Sequence, residues 1–183
     1  MKKSILLVLG ILLASLTTFA QQDIQLEDIW RDYRFYPRSV PGFTFQNDGR
    51  HYTRLEENRI NQYDITTGEQ TSTLFDLAMA GETPDAPEEM DGYTFSGDEN
   101  KILIKTGTER IYRRSTRANF FVWDRENKSI SAVSDEGKQR YATFNPQADH
   151  LAFVRDNDLY VKNLASGLTT RVTEDGKYNH IIN

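Results

Sequence analysis

The chain has 183 residues, of which 38% are hydrophobic and 27% charged, with a formal net charge of −5; this is room for one ordinary domain or for part of a larger one, and it excludes a multi-span membrane protein. Ten Phe, nine Tyr and two Trp exclude a disordered chain, which lacks aromatics to bury. The acidic balance sets the chain against phosphate backbones, so no nucleic-acid partner is expected, and the lack of Cys removes disulfides, Cys-ligated zinc, iron–sulfur clusters and thiol nucleophiles together.

In chain order, Lys2 and Lys3 precede an apolar run from Ile5 to Leu16, and Thr18 and Ala20 stand before the polar restart at Gln21. A basic start, a short apolar stretch and small residues before a cut read as a secretory signal over residues 1–20. The competing reading is an uncleaved anchor, but the run is shorter than the roughly 20 apolar residues a spanning helix needs. Cleavage after Ala20 leaves Gln21–Asn183, takes the net charge from −5 to −7 and leaves no stable membrane span. Export without disulfides fits a bacterial periplasm or cell surface. Leu26–Trp30 follows as a short helical turn.

Residues 21–183 are governed by repetition. Phe45-Gln-Asn-Asp, Phe95-Ser-Gly-Asp and Phe144-Asn-Pro-Gln open three segments 50 and 49 residues apart. At a constant offset of 99, Phe45 meets Phe144, His51 meets His150, Asn58 meets Asn157, Ile60 meets Leu159 and Gly68 meets Gly167. Each segment reads as short strands divided by turn residues: Leu151–Val154, a tight turn at Asp156-Asn157-Asp158, alternating Leu159–Leu164, a turn at Ala165-Ser166-Gly167, and β-branched Leu168–Thr173. In the second segment the strands are Lys101–Lys105, Asn119–Asp124 and Ser129–Val133. Strands recurring every 40 to 50 residues are the signature of β-propeller blades, so the expected fold is all-β, a partial propeller of about three antiparallel four-stranded blades. Closed propellers use roughly four to eight, which makes the chain read as the front end of a longer protein or a part of an assembly. Two stretches break the rhythm. Leu77–Asp91, with Gly81, Pro84, Pro87 and acidic residues, reads as an exposed connection. Thr106–Arg117, an inserted hairpin, carries Arg110, Arg113, Arg114 and Arg117.

The chemistry is sparse. There is no Gly-x-Ser-x-Gly elbow and no Gly-rich phosphate loop. His51, His150 and His180 lie far apart, and the repeat-equivalent first two read as turn residues; no ligand-spaced cluster supports a metal, and no cofactor is expected. Glu56-Glu57 and Glu88-Glu89 read as solvated loop charges. The arginine cluster is the exception: guanidinium groups bind carboxylates and carbonyl oxygens directionally. A solvated hairpin paired with nearby carboxylates is the competing reading.

Phe144-Asn-Pro-Gln-Ala-Asp-His-Leu-Ala-Phe-Val-Arg-Asp-Asn-Asp-Leu-Tyr-Val resembles a blade of the dipeptidyl peptidase IV group in the prolyl oligopeptidase family of serine peptidases. So do Leu26-Glu-Asp-Ile-Trp30, Glu109-Arg-Ile-Tyr-Arg-Arg-Ser115 with Phe121-Val-Trp-Asp124, and the ending Gly176-Lys-Tyr-Asn-His-Ile-Ile-Asn183. The resemblance implies the first part of an eight-bladed propeller beneath an α/β-hydrolase domain that carries a Ser-Asp-His triad. The family's Glu pair for the substrate amine sits in a Trp-Val-Tyr-Glu-Glu type stretch that this chain lacks, so neither Glu pair here takes that role, and no catalytic residue is assigned. What carries over is one arginine that contacts the substrate backbone, which matches Arg113, between Tyr112 and Arg114-Ser115; Arg114 is the fallback. The implied parent is a secreted peptidase releasing Xaa-Pro or Xaa-Ala dipeptides, with a peptide as partner and room for a homodimer, and this chain by itself is expected to be inactive. The alternatives are a non-enzymatic exported propeller that binds protein or peptide, and a truncated product with no function of its own.

Overall fold

The computed structural model describes residues 23–37, 39–80 and 86–178; the signal region and His180 lie outside them. The chain divides into two compact units, residues 1–40 and 41–183. In the first, helix α1 (Leu26–Trp30) is the expected helical turn. The Asp28 carboxylate accepts the Gln25 backbone N–H at 2.9 Å and Arg34 Nη1 at 2.7 Å. Those two bonds, the Gln25 one first, hold the carboxyl below its ordinary range.

The second unit is all-β: three four-stranded antiparallel sheets, the blades that the repeat predicts. The first holds β1 (Thr44–Phe45), β2 (His51–Glu56), β3 (Arg59–Asp64) and β4 (Gln70–Asp76). The second holds β5 (Gly92–Phe95), β6 (Lys101–Arg110), β7 (Thr116–Asp124) and β8 (Ser129–Ala132). The third holds β9 (Arg140–Phe144), β10 (His150–Arg155), β11 (Asp158–Asn163) and β12 (Thr169–Arg171). In each sheet the strands lie side by side in chain order.

The repeat is geometric down to single hydrogen bonds. Phe45 pairs with Tyr52, Phe95 with Ile102 and Phe144 with Leu151. The next residue closes the turn in all three: Gln46, Ser96 and Asn145 donate their N–H to the carbonyls of His51, Lys101 and His150 at 3.0, 2.9 and 3.0 Å. Asx chemistry shapes the other hairpins. Glu57-Asn58 and Asp156-Asn157 both have positive φ at both positions, as a two-residue type I′ turn requires. The turn is thus Asp156-Asn157 alone. Asp158 is the first residue of β11, and its buried carboxylate is engaged elsewhere.

The core lies between the sheets. Ile102, Ile104, Phe121 and Trp123 pack toward Ile60 and Phe75 of the first sheet. Leu103 and Val122, on the opposite face of the same strands, pack with Leu151 and Phe153 of the third. Successive strand residues point to opposite faces, so the runs Ile-Leu-Ile and Phe-Phe-Val-Trp are apolar throughout because the middle sheet is covered on both sides.

The connection after β4 corrects an expectation. Leu77–Ala80 forms a 3-10 turn, and Ala80, Pro87 and Met90 are buried, with Ala80 and Met90 in the core cluster. Met90 N–H donates to Asn58 Oδ1 at 2.9 Å, and Leu77 N–H to the Asn58 carbonyl at 3.1 Å. Apolar side chains anchor this connection in the core, and hydrogen bonds from its backbone N–H groups to Asn58 tie it to the hairpin turn between β2 and β3.

The chain leaving the third sheet returns to the corresponding hairpin. Asp158 accepts Thr173 Oγ1 at 2.7 Å, Gly176 N–H at 2.9 Å and Arg171 Nη2 at 2.5 Å. A Cβ on Gly176 would fall inside van der Waals contact with the Asn157 carbonyl and the Asp158 carboxylate; only glycine allows that approach. Gly176→Ala is expected to cost about 1–3 kcal/mol by overpacking and to raise amide hydrogen exchange selectively over 172–178. A variant with wild-type melting and exchange would refute that account.

Candidate functional site

Strands β6 and β7 run past the body of their sheet as a hairpin. Burial ends along β6 after Thr106, and residues 109–114 are exposed. Pairing shifts between Thr106 and Glu109, where Gly107 takes φ +57°: a bulge, which bends a strand and re-aims the residues beyond it. The tip, Ile111–Ser115, closes with the N–H groups of Ile111 and Tyr112 both donating to the Ser115 carbonyl, at 2.9 and 3.2 Å.

The arginine cluster is divided by this geometry. Arg117 is paired, its Nε 2.7 Å from Glu109 Oε2, as the competing reading of a solvated, self-paired hairpin expects. Arg113 and Arg114 stand exposed at the tip with no ion-pair or hydrogen-bond partner among the described residues, beside Tyr112, which is 78% exposed. Arg110 lies one strand position before the tip and likewise has no carboxylate partner among the described residues.

The hairpin's base is braced by residues that no local pattern identifies. Lys138 Nζ donates to the Gly107 carbonyl at 2.5 Å and to Glu109 Oε1 at 2.8 Å. Lys138 first, then Arg117, hold the Glu109 carboxyl below its ordinary range. Gln139 is buried and exchanges backbone bonds with Ala118 at 2.8 and 3.0 Å, and its side-chain oxygen accepts Phe120 N–H at 3.1 Å. The connection to the third sheet is therefore tied to the hairpin. Between the hairpin and the β10–β11 turn lies an open groove of about 400 Å³, lined among others by Arg110, Lys138, Arg140, Asp156 and Tyr178.

The other singled-out residues take structural places. His51 Nδ1 is 2.5 Å from Asp48 Oδ2. That bond, followed by the Arg50 backbone N–H, lowers the Asp48 carboxyl to about 2. His150 Nδ1 lies 2.8 Å from Asp149, and its Nε2 is 3.1 Å from the Asn163 amide nitrogen. Both histidines serve turns. Glu56 departs from the expected solvated loop charge: it ends β2, takes Arg54 Nη2 at 2.9 Å and Asn61 Nδ2 at 3.0 Å, and accepts the Tyr63 hydroxyl. Glu88 and Glu89 are exposed. Among the described residues no group of three or more His, Asp or Glu is placed to hold a metal, and no helix is long and apolar enough to cross a membrane.

Comparison with known proteins agrees with the fold. Residues 96–183 match the family model described as dipeptidyl peptidase IV (DPP IV) N-terminal region. The chain is 33% identical over 141 residues to a probable dipeptidyl peptidase 4 of Aspergillus flavus, covering 76% of this chain and 17% of that protein. It is 29% identical over 140 residues to the dipeptidyl peptidase 4 of Trichophyton rubrum, covering 75% and 17%. The crystal structure of Porphyromonas gingivalis dipeptidyl peptidase 4 superposes with a TM-score of 0.74 at 32% identity, covering 87% of this chain and 23% of that one. The chain spans about a sixth of the length of the curated relatives it matches. With three consecutive blades and these matches, the chain belongs to the dipeptidyl peptidase IV family, as part of its N-terminal propeller region.

Proposed function

We propose that this chain forms blades of an exported serine dipeptidyl peptidase that releases Xaa-Pro or Xaa-Ala dipeptides from peptide N-termini, and that its own contribution to the reaction is a substrate contact from Arg113. The observation that carries the reading is an arginine without a counter-charge among the described residues, at the tip of a projecting, braced hairpin. It lies in a Tyr112-Arg-Arg-Ser115 context that resembles the family's substrate-binding arginine. A guanidinium there donates to a peptide carbonyl through a planar fork and holds the backbone near its amino end; Arg114 is the neighbouring candidate. Export rests on Lys2-Lys3, the apolar run Ile5–Leu16 and the small residues Thr18 and Ala20.

This division of labour makes the 183-residue chain catalytically silent. Incubated with Gly-Pro or Ala-Pro chromogenic substrates, it is expected to release no leaving group above buffer. Turnover abolished by a serine-directed inhibitor, in material free of host peptidases, would overturn the assignment of chemistry to another domain. The peptidase reading itself is tested in the coding sequence beyond Asn183, where a Glu-Glu segment and a Gly-x-Ser-x-Gly elbow are expected.

A further inference from the structure

We propose that the groove between the β6–β7 hairpin and the third sheet is a binding site for a single carboxylate, the side chain of a Glu or Asp carried on an extended peptide. Arg110, Arg117, Lys138 and Arg140 line it against two acids, Glu109 and Asp156. Glu109 is committed on both oxygens, to Lys138 at 2.8 Å and Arg117 at 2.7 Å. Asp156 sits at the rim, its side chain 89% exposed. Arg110 and Arg140 are left without a carboxylate among the described residues. Arg140 is half-buried, and its hydrogen bond is to a neutral group, Asn157 Oδ1 at 3.3 Å. A cation partly withdrawn from water with no counter-charge favours an incoming anion, and the guanidinium fork matches a carboxylate. This local excess of cations stands on a chain whose net charge is −5, so it is not a general basic bias.

The surroundings select among anions. The two resident acids disfavour a highly charged ligand such as a polyphosphate, whereas one carboxylate stays within the excess of two cations left by Arg110 and Arg140. Ile111, Val154 and Tyr178 give the groove apolar flanks, which a free small anion does not use but which side-chain methylenes and neighbouring peptide residues cover. The site lies at the base of the hairpin that presents Arg113, but the inference does not rest on the peptidase reading, because occupancy is measured without turnover.

The test uses the whole chain and end-blocked pentapeptides Ala-Ala-X-Ala-Ala with X as Glu, Gln or Lys, so that the only carboxylate is a side chain. Binding is followed by calorimetry. The Glu peptide is expected to bind at least about tenfold more tightly than the Gln peptide, as a charge-assisted pair implies, and the Lys peptide not measurably. The difference should shrink near 1 M salt, where the Debye length falls to about 3 Å. R110Q and R140Q should each bring the Glu peptide down toward the Gln level, while R50Q, an equal change of charge in the β1–β2 turn, should not. Arg140 contacts the β10–β11 turn, so the exposed Arg110 variant decides the matter if R140Q unfolds. Glu and Gln peptides binding within about twofold of each other, or R110Q binding as wild type, would overturn the site. Acetate binding as tightly as the Glu peptide would overturn the peptide as its ligand.

Discussion

Phe75→Ala is expected to lower stability by about 3–5 kcal/mol, the range for truncating a buried Phe. Phe75 is fully buried at the end of β4, and its ring centroid lies 4.9 Å from that of Trp123. The side chain belongs to the first sheet but fills space that the second sheet also lines, with Ile102, Ile104 and Trp123 around it. Two sheets each held by their own hydrogen-bond ladders cannot close a gap between them by moving one side chain, so the cavity persists and its cost stays near the upper values. Phe75→Leu should lose less, about 1–1.5 kcal/mol, as a smaller change of volume. Glu69→Ala, on an exposed turn, should fall within about 0.5 kcal/mol of wild type. Urea denaturation followed by Trp fluorescence measures all three. A Phe75→Ala loss below about 1 kcal/mol would mean that the sheets do not share a packed core.

Arg113→Ala, introduced into the proposed full-length peptidase, is expected to reduce kcat/KM for Ala-Pro substrates by about 10- to 150-fold, the equivalent of one charge-assisted hydrogen bond of about 1.5–3 kcal/mol. Arg113→Lys should recover only part, because an ammonium lacks the planar fork. Melting should hardly move, since the tip lies outside both core clusters. Arg110→Ala is the control for loss of charge from the same hairpin with these Ala-Pro substrates, which carry no acidic side chain for the groove that Arg110 lines. Arg117→Ala is not neutral in this respect, because Arg117 braces Glu109. An Arg113→Ala enzyme within about twofold of wild type would sink the assignment, and so would an equal loss in Arg110→Ala, which would trace the effect to the field of the cluster.

The blades are legible in the sequence because their determinants are local. Phe45, Phe95 and Phe144 each close the first strand of a sheet, and the Asn58 and Asn157 turns need backbone angles that Asn tolerates, so spacing alone carries the repeat. The connection after β4 looks exposed from its Gly, Pro and acidic residues. Met90 is a single apolar residue among acids, and Leu77-Ala-Met-Ala80 is too short a run to show a period, so no periodicity marks the anchor. The four arginines look equivalent because charge pattern cannot see pairing: Arg117 has Glu109 eight positions away across a hairpin, and only the β6–β7 register brings them together. Lys138 and Arg140 escape sequence reasoning for the same cause. They reach the site through the Ala118–Gln139 bridge, a contact between segments that the sequence keeps well apart. Glu56 passes for a loop charge because its partners, Arg54, Asn61 and Tyr63, come from both strands of its hairpin.

The buried Asp158 has a mechanical consequence. Load applied at residue 178 does not reach β12 as a free end, because Thr173, Gly176 and Arg171 converge on one carboxylate of the neighbouring strand. Peeling would have to rupture that clasp before the three pairs joining β11 to β12 could open one after another. Thr173, then Arg171 and the Gly176 N–H, keep the Asp158 carboxyl below its ordinary range, so the clasp holds at neutral pH and loosens only on acidification below that range. Under tension, the third blade should yield as a block, with a single force peak, rather than fray strand by strand.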